Sequence, residues 1–198
     1  KQDLATYYAR IADWVLPHFD KLLADNGQLL TALSLAYPLA GESDRNLLRC
    51  FAEGTKSWIL AEMKLPGGWF AHALDADTDG QEGATYTWSI EEAPTPEFAE
   101  CYGMLRMGNF AEEESGRRTG QNVLIWSGQD SPALASGWRF ARELDQLRAV
   151  RFGRPQPARD EKAVASANGL ALRGLADWAR VSSDEETLRS VQLSLEAW

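Results

Sequence analysis

The sequence predicts a mainly α-helical protein, a stack of antiparallel helical hairpins carrying a small β-containing insertion. Three observations lead there. Apolar residues recur at helical spacing before about Gly67 and again after about Leu134. The helical segments are joined by short turns. Between them, from Gly67 to Trp126, glycines cluster and aromatic residues alternate with polar ones. The expected organisation is one helical domain over residues 1–198, with 67–126 as an elaborated loop inside it.

Each element follows from its own pattern. Leu4, Tyr7, Tyr8, Ile11, Trp14 and Val15 form one amphipathic stripe that Pro17 ends. A second run, Lys21 to Ala40, carries Leu22, Leu23, Leu29, Leu30, Leu33 and Tyr37, with Gly27 as a candidate break. Ser43 or Asp44 should cap a third helix that buries Leu47, Leu48, Phe51, Thr55, Trp58 and Ile59 and stops at Pro66-Gly67-Gly68. Within the insertion, Ala84 to Trp88 alternates as a strand does, and Asn122 to Trp126 is a second β-prone run. Ser89-Ile90-Glu91-Glu92 has the capping-box pattern, so a short helix should begin near Ile90, shortened or bent by Pro94 and Pro96. Glu112 to Gly120 is expected to be exposed and mobile. Helical spacing returns with Leu134, Trp138, Ala141, Leu144, Leu147 and Val150 and ends before the extended Arg154-Pro155-Gln156-Pro157. Two further helices should run from Ser166 to Val181 and from Glu185 to Trp198, the last capped by Ser182 with Glu185 or by Ser183 with Glu186.

Composition narrows the function classes. With 198 residues, 44% of them hydrophobic, the chain can bury a core. Twenty Lys and Arg against 29 Asp and Glu give a net charge of −9, which repels a phosphate backbone and argues against nucleic acid as a partner. Cys50 and Cys101 are too few and too far apart for a disulfide framework or a C-x-x-C site. No apolar run reaches the roughly 18 to 20 residues that span a bilayer, and the amino end lacks signal-peptide architecture, so a soluble, cytoplasmic protein without a membrane partner is expected. A missing initiator Met and a last residue, Trp198, inside an apolar-periodic stretch suggest a piece of a longer chain.

The most informative stretch runs from Gly67 to Gly83. It packs Asp75, Asp77, Asp79 and Glu82 between Trp69 and Trp88, and carboxylates that close repel unless a cation, donors or protonation relieve them. In an extended chain Asp75 and Asp77 share one face about 6.5 Å apart, a span relevant to paired-carboxylate acid/base chemistry. Flanking aromatic rings suit the apolar face of a sugar. A solvated acidic turn explains the same residues without chemistry. Asp75-x-Asp77-x-Asp79-Gly80 also matches the first half of an EF-hand calcium loop, but Tyr86 stands where the bidentate Glu belongs, leaving a looser calcium site. His18, directly after Pro17, would sit at a helix amino terminus where the dipole favours the neutral base; a structural turn histidine is the bland alternative. His72 has a weaker case on sequence. Arg151, Arg154, Arg159 and Lys162, on an extended connector leading to Asn168-Gly169, could pair with the acidic loop or bind an anionic group. Asn168-Gly169 reads as a turn before the next helix.

Read together, these segments resemble a known family. Trp14 with Pro17-His18-Phe19-Asp20-Lys21 and Asp25-Asn26, then Gly67-Gly68, Leu74-Asp75-Ala76-Asp77, Glu82-Gly83, Tyr86 and Trp88 come in order. Gly108-Asn109-Phe110, Asn122-Val123-Leu124, and Arg151, Arg154, Pro157, Asp160, Lys162 and Asn168-Gly169 follow. The set resembles the spermatogenesis-associated, thioredoxin-like family, which includes the bacterial YyaL-type proteins. That resemblance implies a fold similar to six-hairpin (α/α) toroids, an architecture shared by several glycosidases and by N-acylglucosamine 2-epimerase-like enzymes. Family members usually carry a thioredoxin-like domain ahead of this region, and the helices read here would form an incomplete ring. The chain departs from the pattern at Asp20, Ala24 and Ala167.

The function expected is that of a carbohydrate-active or sugar-binding protein, glycosidase-like or sugar isomerase/epimerase-like, with no obligatory cofactor. His18, Asp75, Asp77, Glu82 and Asp160 are the catalytic candidates. Trp69, Tyr86, Trp88, Arg154, Lys162 and Asn168 are the substrate-binding candidates. In a hydrolytic version Asp75 or Asp77 is the acid and a second carboxylate the base or nucleophile; in an isomerising version His18 removes a proton and Lys162 or Arg154 stabilises the oxyanion. The alternatives are a non-catalytic scaffold docking a thioredoxin-like domain or other partner, with Arg151, Arg154 and Lys162 neutralising Asp75, Asp77 and Glu82, and a calcium-dependent binding module using Asp75, Asp77 and Asp79.

Overall fold

The structure is a computed structural model that describes residues 21–111, 116–128 and 130–197. The helix expected over Leu4 to Val15, with His18 and Asp20, lies outside the described residues, as do 112–115 of the acidic stretch and Trp198. The described chain is mainly helical. Strand β1 (Lys21–Leu22) leads into α1 (Leu23–Ala36), and α2 (Glu42–Trp58) follows. Three short strands come next, β2 (Ala73–Leu74), β3 (Asp77–Thr78) and β4 (Gln81–Glu82). Helices α3 (Pro96–Cys101) and α4 (Ala141–Phe152), strand β5 (Arg159–Asp160), and helices α5 (Ala165–Ser182) and α6 (Glu185–Glu196) follow, and two further two-residue strands, Ala133–Leu134 and Gly137–Trp138, precede α4. No helix among the described residues is long and apolar enough to cross a membrane.

The chain forms two compact units. The helical unit consists of residues 21–75, Ala133–Ala135 and residues 159–197, and its core joins α1, α2 and α5 through Leu23, Leu30, Ile59, Met63, Leu175 and Trp178, all fully buried. Gly27 does not break α1. It is buried against α5, and a Cβ there would lie 2.6 Å from the Ala171 backbone nitrogen. The glycine is the close-approach point of a helix crossing, a use that local sequence cannot separate from a break. Helix α2 starts at Glu42 with Gly41 in the cap position, ahead of both Ser43 and Asp44, the expected caps. It continues into a single π-turn, Ile59–Met63, that presents both of its end residues to the core. Pro66-Gly67-Gly68 then reverses the chain as expected, with Gly68 at φ +86°.

Trp178 anchors this core. Its ring meets Tyr37 edge-on at 5.2 Å, and its Nε1 donates to Glu53 Oε1 at 2.8 Å. Burying a side chain of this size contributes on the order of 3 kcal/mol. Glu53 also accepts from Lys56 Nζ at 2.6 Å, and Lys56 reaches Asp184 at 2.9 Å. Asp184, not Ser182 or Ser183, caps α6 by accepting from Thr187 N at 3.0 Å and Thr187 Oγ1 at 2.7 Å. Ser183 instead takes a left-handed conformation that closes α5.

The second unit is built from Ala76–Pro132 and Ser136–Ala158 around Trp88, Phe98, Tyr102, Met104, Phe140 and Leu147. Strands β3 and β4 form a two-residue hairpin with Asp79 at φ 53° and Gly80 at φ 73°. Two successive positive φ values are the type I′ geometry that Asp-Gly favours. Ser89 N donates to Glu92 Oε2 at 2.8 Å, the backward half of the expected capping box, over a 3₁₀ turn at Ile90–Glu92. Pro96 bends nothing: it occupies the first turn of α3, where its missing N–H is harmless, and Thr95 caps that helix through Phe98 N.

The strand expected at Ala84 to Trp88 is instead a turn ending in one bridge, Trp88 to Asn122. The alternation misleads because Thr85 and Thr87 are buried while Tyr86 is only partly covered. Thr85 Oγ1 donates to Pro155 O at 2.7 Å and Thr87 Oγ1 to Gly83 O at 3.1 Å. Leu134 and Trp138 precede α4, which begins only at Ala141 because Gly137, at φ +121°, interrupts the helical path.

Candidate functional site

A three-stranded antiparallel sheet, ordered β1-β2-β5, lies within the helical unit. Lys21 pairs with Leu74, Leu22 with Ala73, Ala73 with Asp160 and Leu74 with Arg159. Three segments that the sequence marks for chemistry therefore meet: the stretch entering at Lys21, the Leu74-Asp75 stretch, and the Arg159 to Lys162 connector. His72 locks the join, its N donating to Asp160 O at 2.8 Å and its O accepting from Leu23 N at 2.9 Å.

Asp160 is the best-defined charged group of the sheet. Its Oδ1 accepts from Lys162 N and its Oδ2 from Lys162 Nζ, both at 3.2 Å. The Lys162 backbone bond first, then its ammonium, hold the Asp160 carboxyl below the usual carboxylate range, and the nearby His72 imidazole adds to that. Asp160 is thus an anion at neutral pH, suited to balance developing positive charge. Asp75 is exposed just beyond β2. Asp77 opens β3 after a backbone bend at Ala76, so no single continuous strand carries the two.

The remaining candidates divide by their surroundings. Trp69 is partly buried, and its carbonyl accepts from Leu65 N at 2.7 Å behind the Gly67-Gly68 turn. Asn168 stands inside the first turn of α5, not in a turn before it, and is fully buried. Its Oδ1 accepts from Phe70 N at 2.8 Å, and its Nδ2 donates to Phe70 O at 3.0 Å and Val164 O at 3.1 Å. These bonds fasten the chain before β2 to the start of α5.

In the second unit Asp77 is exposed and Glu82 partly buried on the β3–β4 hairpin. Asp79 belongs to its turn, where Asp79-Gly80 meets the demands of a type I′ hairpin. Among the described residues no three His, Cys, Asp or Glu side chains are grouped as a metal ion requires. Trp88 is 4% exposed and carries the Arg154 guanidinium over its ring at 4.0 Å. Arg154 Nη1 donates to Thr87 O at 2.7 Å, Thr85 O at 3.1 Å and Ala84 O at 3.3 Å, and Nη2 to Glu92 at 2.7 Å. Arg151 lies over Tyr86 at 5.4 Å and over Phe152 at 5.2 Å. Of the cations expected beside the acidic loop, Arg154 pairs with Glu92 and Lys162 with Asp160.

Two further residues stand out. Asn122 is fully buried; its Oδ1 accepts from Leu105 N and Asn109 N, and its Nδ2 donates to Trp88 O and Leu105 O. Its place in an Asn-Val-Leu run gives no local sign of this. His72, weak on sequence, has a buried Nδ1 with no hydrogen-bond partner among the described residues.

No protein-family model matches the chain. The sequence is similar to spermatogenesis-associated protein 20 of Homo sapiens, 29% identical over 204 residues that cover 85% of this chain and 25% of the human protein. The protein of that name from Rattus norvegicus is 28% identical with the same coverage. An uncharacterised protein of Caenorhabditis elegans is 26% identical over 198 residues, covering 85% of this chain and 27% of its own. The chain spans about a quarter of the length of these curated relatives.

Proposed function

We propose that this chain supplies the sugar-handling face of a carbohydrate-active or sugar-binding protein, and that its helical unit is part of a six-hairpin (α/α) toroid of the YyaL type. The single observation that carries the reading is the β1-β2-β5 sheet, which aligns three chemistry-bearing segments through Lys21, Leu74 and Asp160. Asp160, held ionised by Lys162, is the charge stabiliser, and the exposed Asp75 is the acid candidate. In an isomerising version Lys162 takes the oxyanion role, since Arg154 is committed to backbone carbonyls and Glu92.

A second reading is favoured by a different observation: Asn122 and Asn168 spend their side-chain polar atoms on backbone groups, and Arg154 on backbone carbonyls and Glu92, as a scaffold docking a thioredoxin-like domain or other partner would require. Thermal-shift titration of the full-length protein with monosaccharides and disaccharides separates the two. A sugar-dependent rise in melting temperature that Asp160→Asn abolishes supports the first reading; no rise with any sugar leaves the scaffold.

A further inference from the structure

The turn Leu105-Arg106-Met107-Gly108 is held from inside by two asparagines. Fully buried Asn122 accepts from Leu105 N at 2.7 Å and Asn109 N at 3.0 Å, and its Nδ2 donates to Leu105 O at 3.1 Å. Asn109 fastens the flanks: its Nδ2 donates to Gly103 O at 3.0 Å and Val123 O at 2.8 Å, and its Oδ1 accepts from Val123 N at 2.8 Å. Gly108, at φ +79°, closes the turn by donating to Leu105 O at 2.9 Å. A Cβ on Gly108 would lie 2.7 Å from Gln121 N, so the turn sits directly on that backbone. Two amide side chains with their polar atoms engaged and a glycine that admits no side chain hold the turn in one conformation.

What this frame displays is apolar. Leu105 is 48% and Met107 75% exposed, and the Arg106 side chain between them is 84% exposed. Surface turns favour Gly, Pro, Asn, Asp and Ser. A single exposed apolar residue is ordinary, but two flanking an arginine on a fixed turn form a patch that asks for a partner. Met and Arg are enriched where proteins meet, and side chains presented on a rigid backbone lose less freedom on docking. Arg106 meets Glu91 at 3.7 Å, a loose pair between two exposed groups that holds its guanidinium weakly and leaves it able to serve another carboxylate.

The size of the patch selects its occupant. Three side chains on one turn fall far short of the roughly 20–30 residues a side that a stable complex of separate molecules buries. A tethered segment escapes that requirement, because it meets the turn at an effective concentration on the order of mM. The matched stretch makes up 25% of the human relative, which leaves ample polypeptide to supply such a segment. We propose that Leu105, Arg106 and Met107 form an intramolecular docking knob, seated in the full-length protein in an apolar, carboxylate-rimmed pocket on a part of the same polypeptide outside residues 1–198. This goes beyond the sugar-handling reading and stands independently of it.

The test uses the full-length protein. Oxidation of Met107 by hydrogen peroxide is followed by peptide mass spectrometry, with the buried Met63 and Met104 as internal references. Met107 is expected to oxidise about tenfold more slowly than in the urea-unfolded protein. Oxidation at the unfolded rate means a solvated turn and overturns the proposal. In a second measurement Arg106, whose exposure makes it tolerant of replacement, is exchanged for the photo-cross-linker p-benzoylphenylalanine. Cross-links within one molecule to positions outside residues 1–198 are the expected result. Cross-links confined to residues 1–198, or joining two molecules, assign the cover elsewhere and overturn the proposal.

Discussion

Gly174 leaves room for Gly27 where α1 crosses α5: the Gly27 carbonyl occupies the space that a Gly174 side chain would fill. A Cβ on Gly27 would meet the Ala171 backbone nitrogen at 2.6 Å, and backbone inside two packed helices cannot step aside as a flexible side chain can.

Gly27→Ala should therefore destabilise the protein although alanine is the better helix former. The overpacking loss is expected at about 3 kcal/mol, against a helix-propensity gain of about 1 kcal/mol. Urea denaturation followed by circular dichroism measures the difference; Gly54→Ala, where a Cβ meets nothing within 4 Å, is the control and should stabilise slightly.

The Lys56–Asp184 pair should give stability two pH limbs. Asp184 is held far below the usual carboxylate range by the Thr187 backbone N–H, then by Lys56 and the Thr187 hydroxyl. Burial works against the Lys56 ammonium, but its bonds to Glu53 and Asp184 outweigh that and raise its pKa. A lowered carboxyl contributes above its unfolded pKa of about 3.9 and loses that contribution as pH falls. A raised amine contributes below about 10.4 and loses that contribution as pH rises. Asp184→Asn keeps a side chain able to cap, so it should cost about 1 kcal/mol between those limits and flatten the acid limb; Asp184→Ala should cost about 2 kcal/mol or more. Melting temperatures from pH 2 to 12 check both limbs.

Arg154→Lys retains the charge but loses the fork and the flat surface against Trp88. The expected cost is about 2–3 kcal/mol, from charged hydrogen bonds to Thr85, Thr87 and Glu92 and the cation–π contact. Hydrogen exchange should quicken first across residues 84–92.

Asn122→Ala leaves Leu105 N, Asn109 N and two carbonyls without their buried partner. A loss on the order of 3–4 kcal/mol is expected, with proteolysis becoming fast near Leu105 to Asn109. Asn122→Asp should be nearly as harmful, because a carboxylate cannot donate to Trp88 O.

What the sequence made legible followed from physical range. Helix α5 could be read to one residue at each end, and the existence of α2 likewise, because Leu47, Leu48, Leu172 and Trp178 repeat at a period the local chain sets. Gly27 was misread because breaking a helix and admitting a neighbour ask for the same residue. Strands of two residues have no periodicity, so the meeting of Lys21, Leu74 and Asp160 had no local signature. Asp79-Gly80 is ambiguous in sequence because hairpin turns and calcium loops can share an acid next to a glycine of positive φ. The unsatisfied state of His72 exists only once Leu23 and Asp160 are in place.

Asn168 grips Phe70 across 98 residues of sequence, in the same part of the fold where β2 joins β1 and β5. Contacts between such distant positions form only after the intervening chain has been drawn together, whereas helical turns form locally and early. Partial unfolding should accordingly dismantle this corner while most helical content endures. A preparation with a normal far-ultraviolet spectrum can therefore be incompetent, and near-ultraviolet signals from the tryptophans are the better measure of an intact sample.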